Sequence, residues 1–251
     1  MAAGSDPVRY ERSGAAAVLT IDRPERRNAI DGETAAALLT HFEAFCADDG
    51  ARVLVLTGDD VAFCAGADLK AIATLDLAAP GGPLGFTRLA SPKPTIAAVS
   101  GWCLAGGLEL ALWCDLRIAA RTATFGCAER RWGVPLVDGG TQRLPRIVGQ
   151  GRALDLILSG RMVAAEEALA IGLVTEVVEP GRQLARALEW AERLAAFPQD
   201  TLRSDRRAVL EGAGLALADG LALEARLGAE VLRTAVAGAA RFAAGEGRGG
   251  Q

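Results

Sequence analysis

Residues 94–119, PTIAAVSGWCLAGGLELALWCDLRIA, contain an apolar strand, a glycine-rich turn and a helix in immediate succession. The strand TIAAVSG leads into WCLAGGLEL, just as the strand RVLVLTG at 52–58 leads into FCAGADL at 63–69. In both places a strand is followed by a cysteine, an Ala-Gly pair and a helix start. Two such turns about 40 residues apart favour a stacked coil of β and α elements over a single doubly wound sheet.

The segment between residues 8 and 178 has the pattern of an α/β fold. Short β-branched runs alternate there with segments rich in alanine and leucine. Asp31 is the expected N-cap of a helix over residues 32–47. Strands are predicted at residues 15–22, 52–58, 95–101, 115–120 and 172–178.

Only helical patterns follow Pro180. A helix is predicted over residues 181–197, with two further helices after Pro198 and a frayed glycine-rich end at 245–251. We therefore predict an α/β core over residues 1–195 and a helical oligomerisation region over residues 196–251. The abundance of alanine and leucine in the second region favours packing against a neighbouring subunit.

Composition and charge exclude several classes of protein. The chain has 251 residues, 51% hydrophobic and 23% charged, so it can bury a sizeable core. A formal net charge of −4 argues against nucleic-acid partners and against a polybasic membrane-binding surface. The most apolar stretch, residues 95–114, is interrupted by Ser100, three glycines and Glu109, so no membrane span is predicted.

Cysteine and histidine usage bears on metals, nucleophilic catalysis and compartment. The five cysteines form no CxxC pair and His41 is the only histidine, so no metal site is expected. Ser-His-Asp and Cys-His mechanisms are improbable for the same reason, and His41 is predicted to be a solvated helix residue. Residues 1–14 show no apolar export segment. With an odd cysteine count and a composition biased to alanine and arginine, this favours a bacterial cytoplasm.

The two Ala-Gly turns are the first candidates for chemistry. A glycine-rich turn from strand to helix presents backbone N–H groups at the positive end of a helix, where an anion can bind. Because neither turn contains GxGxxG or GxxxxGK[ST], a nucleotide phosphate is not supported there. The N–H groups could instead form an oxyanion hole, and the alternative is a pair of tight structural turns.

Three acidic residues are further candidates. Glu109 has Leu108 and Leu110 beside it and no polar stripe around it, which predicts a buried carboxyl with a raised pKa. The alternative for Glu109 is a buried pair with an arginine. Glu129 is followed by two arginines, so a surface ion pair is its default interpretation. Asp138 precedes Gly-Gly, a pattern typical of a turn.

Several segments together resemble one known family. AFCAGADLK at 62–70 and the stretch at 94–119 are similar to the signature of the crotonase, or enoyl-CoA hydratase, superfamily. The similarity continues through residues 123–149 and 160–178, and it includes IDRPERRNAID at 21–31. These segments cover roughly residues 8–178 in the family's order and spacing.

The resemblance implies roles for particular residues. The backbone N–H groups of Ala67 and Gly106 match the family's oxyanion hole, which binds the thioester oxygen of a coenzyme A ester. Glu109 and Glu129 match the two catalytic glutamates of the hydratases. The implied substrate-binding positions, of which the first two are expected near the CoA nucleotide, are Arg23, Arg26, Ala65, Gly66, Asp68, Leu69, Lys70, Trp132 and Asp138.

The resemblance also implies an architecture, a crotonase-like spiral of β-β-α turns with a C-terminal helical trimerisation region. A homotrimer or a hexamer made of two trimers is therefore expected.

Two features depart from typical hydratases. Arg130 and Arg131 stand where apolar residues usually follow the second glutamate, and Asp138 stands where a small residue is usual.

Hydration of a 2-enoyl-CoA is the reaction that two glutamates explain most economically. Glu109 is expected to activate the water and Glu129 to supply the proton at C2. No metal or redox cofactor is expected, since coenzyme A is part of the substrate. One alternative is an enoyl-CoA or dienoyl-CoA double-bond isomerase that uses Glu129, with or without Asp138. The other is an acyl-CoA-binding protein with little turnover.

Overall fold

The computed structural model describes residues 6–246, which include ten strands and nine α-helices. The predicted frayed end lies outside the described residues except for Gly245 and Glu246. The strands are β1 Val8–Ser13, β2 Ala16–Ile21, β3 Val53–Thr57, β4 Ala62–Cys64, β5 Thr95–Val99, β6 Trp102–Leu104, β7 Leu116–Ala120, β8 Thr124–Gly126, β9 Met162–Ala164 and β10 Glu176–Val178. The helices are α1 Gly32–Ala47, α2 Gly106–Trp113, α3 Gly140–Val148, α4 Gln150–Ser159, α5 Ala165–Ala170, α6 Gln183–Ala196, α7 Gln199–Gly212, α8 Leu217–Glu230 and α9 Leu232–Ala243.

The strands form two sheets. The larger sheet has the order β1-β2-β3-β5-β7-β10, and all its pairs are parallel except the hairpin of β1 with β2. The smaller sheet has the order β4-β6-β8-β9, with only β9 antiparallel. Every residue of β2, β3 and β5 is buried, which explains their unbroken apolar sequences, since both faces of a parallel sheet are covered.

The predicted stacked coil is confirmed. Strands β3, β5 and β7 lie side by side in the larger sheet, and each continues into a short strand, β4, β6 or β8, of the smaller sheet. The two Ala-Gly turns lead into different elements. After β6 the chain enters α2, whereas after β4 the predicted helix start is only a 3-10 turn at Ile72–Thr74.

The predicted strands at 15–22, 52–58, 95–101 and 115–120 correspond to β2, β3, β5 and β7. Only the last three residues of the segment at 172–178 form β10. The prediction missed β1. It also missed the smaller sheet, whose four strands have three residues each. A strand of three residues is too short to show a period-2 pattern, so the sequence carries no signal for it.

The helical predictions hold with one correction. Helix α1 spans residues 32–47 with Asp31 as its N-cap, and α6 lies within the predicted helix at 181–197. After Pro198 the structure has three helices, not two. Residues 213–216 separate α7 from α8, and Val231 separates α8 from α9. The alanine-rich sequence masks these breaks.

The chain divides into two compact units, one ending at Glu192 and the other beginning at Arg193. The first contains both sheets, and the second contains α7, α8 and α9. The predicted oligomerisation region from residue 196 is not tested by this division and stays a prediction. Within the described part of the chain, no helix is long and apolar enough to cross a membrane.

The core of the first unit positions α2. The rings of Phe42, Phe86 and Trp113 pack together with centroids 4.6–5.5 Å apart. The Trp113 indole also donates a hydrogen bond to the Leu89 carbonyl at 2.8 Å. The later part of the loop between β4 and β5 is thus tied to buried structure, and α2 has a fixed C-terminal end.

His41 is not the solvated residue that the sequence predicted. Its ring stacks against Tyr10 with centroids 5.8 Å apart, and its Nε2 lies 3.1 Å from the Val8 carbonyl oxygen. Helix α1 packs beside the edge strand β1, so a histidine on this face of the helix is half-buried.

Candidate active site

A cavity of about 500 Å³ lies in the first unit, between the two Ala-Gly turns and the segment from Ala128 to Asp138. Most of its lining is apolar, with Leu69, Leu75, Leu84, Trp132, Leu136 and Val137 among the contributors. Within the described residues, its ionisable lining side chains are Glu109, Glu129 and Asp138, and no lysine, arginine or histidine lines it. The cavity therefore combines an apolar wall with a group of acidic residues.

Glu109 lies on α2, which is buried over its whole length. The side chain is 3% exposed, and its Oε1 accepts hydrogen bonds from the N–H groups of Asp138 at 2.9 Å and Gly140 at 2.7 Å. Burial raises the pKa of Glu109 to about 7, and these two N–H groups oppose the rise. The alternative of a buried Glu109–arginine ion pair is wrong, since among the described residues the partners of the carboxyl are backbone N–H groups.

Gly140 explains how the carboxyl comes so close to a helix N-terminus. A Cβ at this position would lie 2.9 Å from Oε1 of Glu109 and 3.0 Å from its Cγ. Gly140 is the first residue of α3, so its N–H has no acceptor in its own helix and is free to bind the glutamate.

Glu129 lies in a 3-10 helix, Ala128–Trp132, directly after β8. It is 5% exposed, and both carboxyl oxygens are buried without a hydrogen-bond partner among the described residues. Burial raises its pKa. The surface ion pair predicted from its two arginine neighbours is wrong, because the short helix turns Arg130 and Arg131 to the exterior and Glu129 inward. An unpartnered buried carboxyl bordering a cavity is suited to a substrate or a bound water.

Ala67 and Gly106 line the same cavity. Ile30 pairs with this turn through its own N–H and through the N–H of Asp68. The N–H of Ala67 takes part in neither hydrogen bond. Gly106 begins α2, so its N–H has no acceptor within that helix. Two N–H groups without an acceptor among residues 6–246, beside two carboxyls, are the elements of an oxyanion hole with acid–base groups.

Backbone conformation brings these two turns together. Gly66 has φ +95°, and a Cβ on it would lie 2.9 Å from the Gly106 nitrogen. Ala105, which precedes α2, has φ +52° and ψ −123°, a combination that costs a residue with a Cβ about 1–3 kcal/mol. Such strain is typical of functional turns, and here it sets the direction of the Gly106 N–H.

Asp138 is buried at 2% exposure and is more than a turn residue. Its Oδ1 accepts hydrogen bonds from the Leu84 N–H at 3.2 Å and from the Thr87 hydroxyl. Leu84 and Thr87 were not identified from the sequence. They lie in a loop with no motif, and only the glycines and prolines of residues 80–85 mark it as a turn region.

The structure brings together eight of the residues predicted from the sequence. The cavity lining includes Ala65, Ala67, Leu69, Gly106, Glu109, Glu129, Trp132 and Asp138. Five predicted substrate-binding residues lie outside this lining, namely Arg23, Arg26, Gly66, Asp68 and Lys70. Gly66 nevertheless shapes the backbone of its turn through its positive φ.

The charged residues of this second group have different surroundings. The Arg23 guanidinium pairs with Asp31 at 2.7 Å and with Asp68 at 3.5 Å, so it links the start of α1 to the turn after β4. Arg26 and Lys70 are exposed. Their contact with the nucleotide part of a substrate stays a prediction.

Among the described residues, no group of three or more His, Cys, Asp or Glu side chains is placed to hold a metal ion.

Two stacked sheets, with paired N–H groups and two buried glutamates at one cavity, are characteristic of crotonase-fold proteins. The family model described as enoyl-CoA hydratase/isomerase matches residues 11–244, and the chain belongs to this family.

Individual relatives agree with this assignment. The chain is 43% identical over 223 residues, 86% of each sequence, to a protein of Rhizobium meliloti (strain 1021) named "Probable enoyl-CoA hydratase". It is 39% identical to the 2,3-dehydroadipyl-CoA hydratase of Escherichia coli (strain K12), over 84% of each chain. The crystal structure of enoyl-CoA hydratase EchA1 from Mycobacterium marinum is similar, with a TM-score of 0.91 and 36% sequence identity. The alignment covers 95% of this chain and 96% of the EchA1 chain.

Proposed function

We propose that the protein adds water across the 2,3 double bond of a 2-enoyl-CoA whose acyl group is apolar and uncharged. The observation that carries this proposal is the joint placement of Glu109 and Glu129, both buried, beside the Ala67 and Gly106 N–H groups in one apolar cavity. The relatives named as enoyl-CoA hydratases support the same reaction class.

The oxyanion hole would act on the thioester carbonyl. When a nucleophile adds at C3, the π electrons shift to the thioester oxygen and an enolate forms. The N–H groups of Ala67 and Gly106 would stabilise the developing negative charge. One such donor typically lowers the barrier by about 3–4 kcal/mol. The strained Ala105 keeps one donor in place before the substrate arrives, so no reorganisation is needed during the reaction.

The two glutamates would divide the proton transfers. Glu109 takes a proton from water as the oxygen bonds to C3, and Glu129 gives a proton to C2 as the enolate collapses. Proton exchange between the two carboxyls or with solvent restores the starting state. Burial raises the pKa of both groups, which brings each carboxyl closer to the pH range where it can exchange protons with water and substrate.

The acyl group is proposed from the lining of the cavity. Its side chains are mainly apolar, and the ionisable ones described there are all acidic. A carboxylate at the end of an acyl chain would be buried without a cationic partner and near three carboxyls. An unpaired buried polar group costs about 1–3 kcal/mol or more, whereas each buried CH₂ of an uncharged chain gains about 0.8 kcal/mol.

Matched substrates test this proposal. The wild-type protein is incubated with crotonyl-CoA, 2-hexenoyl-CoA and 2,3-dehydroadipyl-CoA, and the loss of conjugated thioester absorbance is followed. We expect kcat/KM to rise from crotonyl-CoA to 2-hexenoyl-CoA. We expect kcat/KM for 2,3-dehydroadipyl-CoA, which has six carbons and a terminal carboxylate, to be at least about 10-fold lower than that for 2-hexenoyl-CoA. Equal rates for the two six-carbon substrates would contradict the acyl preference, and no hydration of any of them would contradict the reaction.

Glutamine variants test the two roles. Glu109→Gln and Glu129→Gln keep the side-chain shape but cannot exchange a proton, so each should lose about 10²–10⁴-fold in kcat. The double variant should lose much less than the product of the two losses, because the pair acts as one unit.

A double-bond isomerase is the second candidate, and the unpartnered carboxyl of Glu129 favours it. A single free base of this kind could move a proton between carbons without help. In that case Glu109→Gln would keep turnover of a 3-enoyl-CoA while Glu129→Gln abolished it. If neither variant changes any turnover, an acyl-CoA-binding protein with little activity is the remaining alternative.

A further inference from the structure

We propose that Asp138 is a positioning residue, whose main chain holds the Glu109 carboxyl and whose side chain anchors the loop that forms one wall of the acyl cavity. This wall loop comprises residues 75–87, and it lines the cavity with Leu75, Leu77, Pro83 and Leu84. The inference rests on the proposed function for the role of Glu109 in the reaction and for the acyl group as the occupant of the cavity.

The main chain of Asp138 makes the first link. Its N–H donates to Oε1 of Glu109 at 2.9 Å, alongside the N–H of Gly140. Its carbonyl oxygen accepts a hydrogen bond from Nη1 of Arg143 at 2.8 Å, one turn into α3. The peptide groups on either side of Asp138 are thus fixed, and Glu109 is held in a single orientation.

The side chain makes the second link. Oδ1 of Asp138 accepts from the Leu84 N–H at 3.2 Å and from the Thr87 hydroxyl. The loop packs tightly here, because a Cβ on Gly82 would lie 3.0 Å from Oδ1 and 2.4 Å from the Thr87 hydroxyl oxygen. Nη2 of Arg143 also donates to the Thr87 carbonyl. Displacement of Asp138 would therefore move Leu84 and Glu109 together.

The charge of Asp138 adds an electrostatic effect on Glu109. The ionisable groups near Glu109 are Asp138, Glu129, Cys127 and Arg143. After burial, repulsion by Asp138 and by Glu129 contributes to the raised pKa of Glu109. Burial also raises the pKa of Asp138. At pH values where Asp138 is ionised, removal of its charge leaves the burial of Glu109 in place and takes away one of the two repulsions, so Glu109 should ionise at lower pH.

Asp138→Asn is the sharpest test, since asparagine keeps an oxygen acceptor for Leu84 and Thr87 but has no charge. The matched control is Asp115→Asn. Asp115 likewise accepts from a backbone N–H and a threonine hydroxyl, both of Thr95, at 2.8 and 3.0 Å, but it does not line the cavity. Glu109 is titrated by ¹³C NMR of its side-chain carboxyl, which is identified by its loss in Glu109→Gln.

We expect the titration midpoint of Glu109 to fall by about one pH unit in Asp138→Asn and to stay unchanged in Asp115→Asn. An unchanged midpoint in Asp138→Asn would overturn the electrostatic part of the inference. This readout needs no turnover, so it remains informative even if the wild-type protein hydrates no enoyl-CoA.

Thr87→Val tests the anchoring of the wall loop. Valine has nearly the same shape but cannot donate to Asp138, and the charge beside Glu109 is retained. We expect KM for a long-chain enoyl-CoA to rise several-fold more than KM for crotonyl-CoA, with a smaller change in kcat. If the protein shows no turnover, the dissociation constants of the corresponding saturated acyl-CoAs replace KM. Equal changes for long and short chains would contradict the anchoring role.

Discussion

Glu109 links the stability of the fold to the proposed reaction. It is 3% exposed and is held by two N–H groups, yet its pKa lies at about 7 because burial outweighs these hydrogen bonds. The folded protein therefore binds a proton at this carboxyl that the unfolded chain has already released between pH 4.5 and about 7. An ionised glutamate in this site destabilises the fold, which is a usual consequence of a functional group in an apolar cavity.

The sign of this effect predicts the behaviour of Glu109→Gln. A carboxyl with a raised pKa stabilises the fold fully below its unfolded pKa and loses that contribution as pH rises through the folded pKa. Wild-type stability should therefore fall by about 3 kcal/mol between pH 4.5 and pH 8 because of this group. Glutamine has no such loss, so the variant should gain about that much relative to wild type over the same interval.

Unfolding in urea at pH 4.5 and at pH 8, at one fixed protein concentration, measures the difference between the two proteins. A difference that is the same at both pH values would show that the Glu109 pKa is not raised. Several acidic residues are buried besides Glu109 and also contribute to the pH dependence of wild-type stability. The effect of Glu109 is therefore measured as the difference in unfolding free energy between wild type and Glu109→Gln.

Gly140 is a second position at which a single added atom would change the geometry of the site. Gly140→Ala would place a Cβ 2.9 Å from Oε1 of Glu109 and displace the carboxyl from its N–H donors. Because a shift of about 1 Å in a catalytic group can cost about 10²-fold, we expect a loss of this order in kcat. Gly151→Ala, at the start of α4, is the control, since a Cβ there meets nothing within 4 Å. Normal activity of Gly140→Ala would show that the site tolerates movement of Glu109.

At the scale of elements, short connections decide where the proposed catalytic groups lie. Helix α2 buries all eight residues and presents Gly106 and Glu109, one turn apart, to the same cavity. The 3-10 helix after β8 delivers Glu129, and the N-terminus of α3 holds Glu109. The smaller sheet sets the spacing of these elements, because β4, β6 and β8 pair in parallel directly before them.

The N-cap of α1 is expected to link helix stability to the turn after β4. Oδ1 of Asp31 accepts from the Thr34 N–H at 3.0 Å, and its other oxygen pairs with Arg23 at 2.7 Å. Asp31→Ala should cost about 1–2 kcal/mol, since it loses the cap and leaves Arg23 with only Asp68 as an acidic partner. Asp31→Asn keeps the cap and should cost less. Thermal unfolding of the two variants measures the difference, and equal losses would assign the whole effect to the ion pair.

At the scale of the whole molecule, the second unit has a large apolar surface for its size. Exposed residues among α7, α8, α9 and their connections include Val209, Leu217, Leu232, Val236 and Phe242, each more than half exposed. Scattered exposed apolar residues are ordinary, but this number on three helices favours burial by another subunit.

We predict a homotrimer or a hexamer in solution, because an apolar surface of this extent gains stability when another subunit covers it. Light scattering at micromolar concentration measures the mass directly against the 25.9 kDa of one chain. Leu217→Glu and Val236→Glu place charges on this surface and should shift the mass towards the monomer. A wild-type protein that is monomeric at this concentration would contradict the prediction.

The local features of this protein could be predicted from its amino acids alone. The continuous apolar strands, the two Ala-Gly turns, the Asp31 cap and the buried Glu109 were predicted, because each depends on neighbours within a few residues. The family resemblance then located Ala67, Gly106 and Glu129 at one cavity.

Features that depend on residues far apart in the chain became visible only in three dimensions. Asp138 is a buried anchor and not simply a turn residue because Leu84 and Thr87, more than 50 residues earlier, donate to its side chain. Glu129 is buried and unpartnered, although its arginine neighbours predicted a surface ion pair, because a short 3-10 helix turns it inward. A residue's neighbours in the chain specify its local conformation, but its burial and partners are set by segments that packing brings beside it.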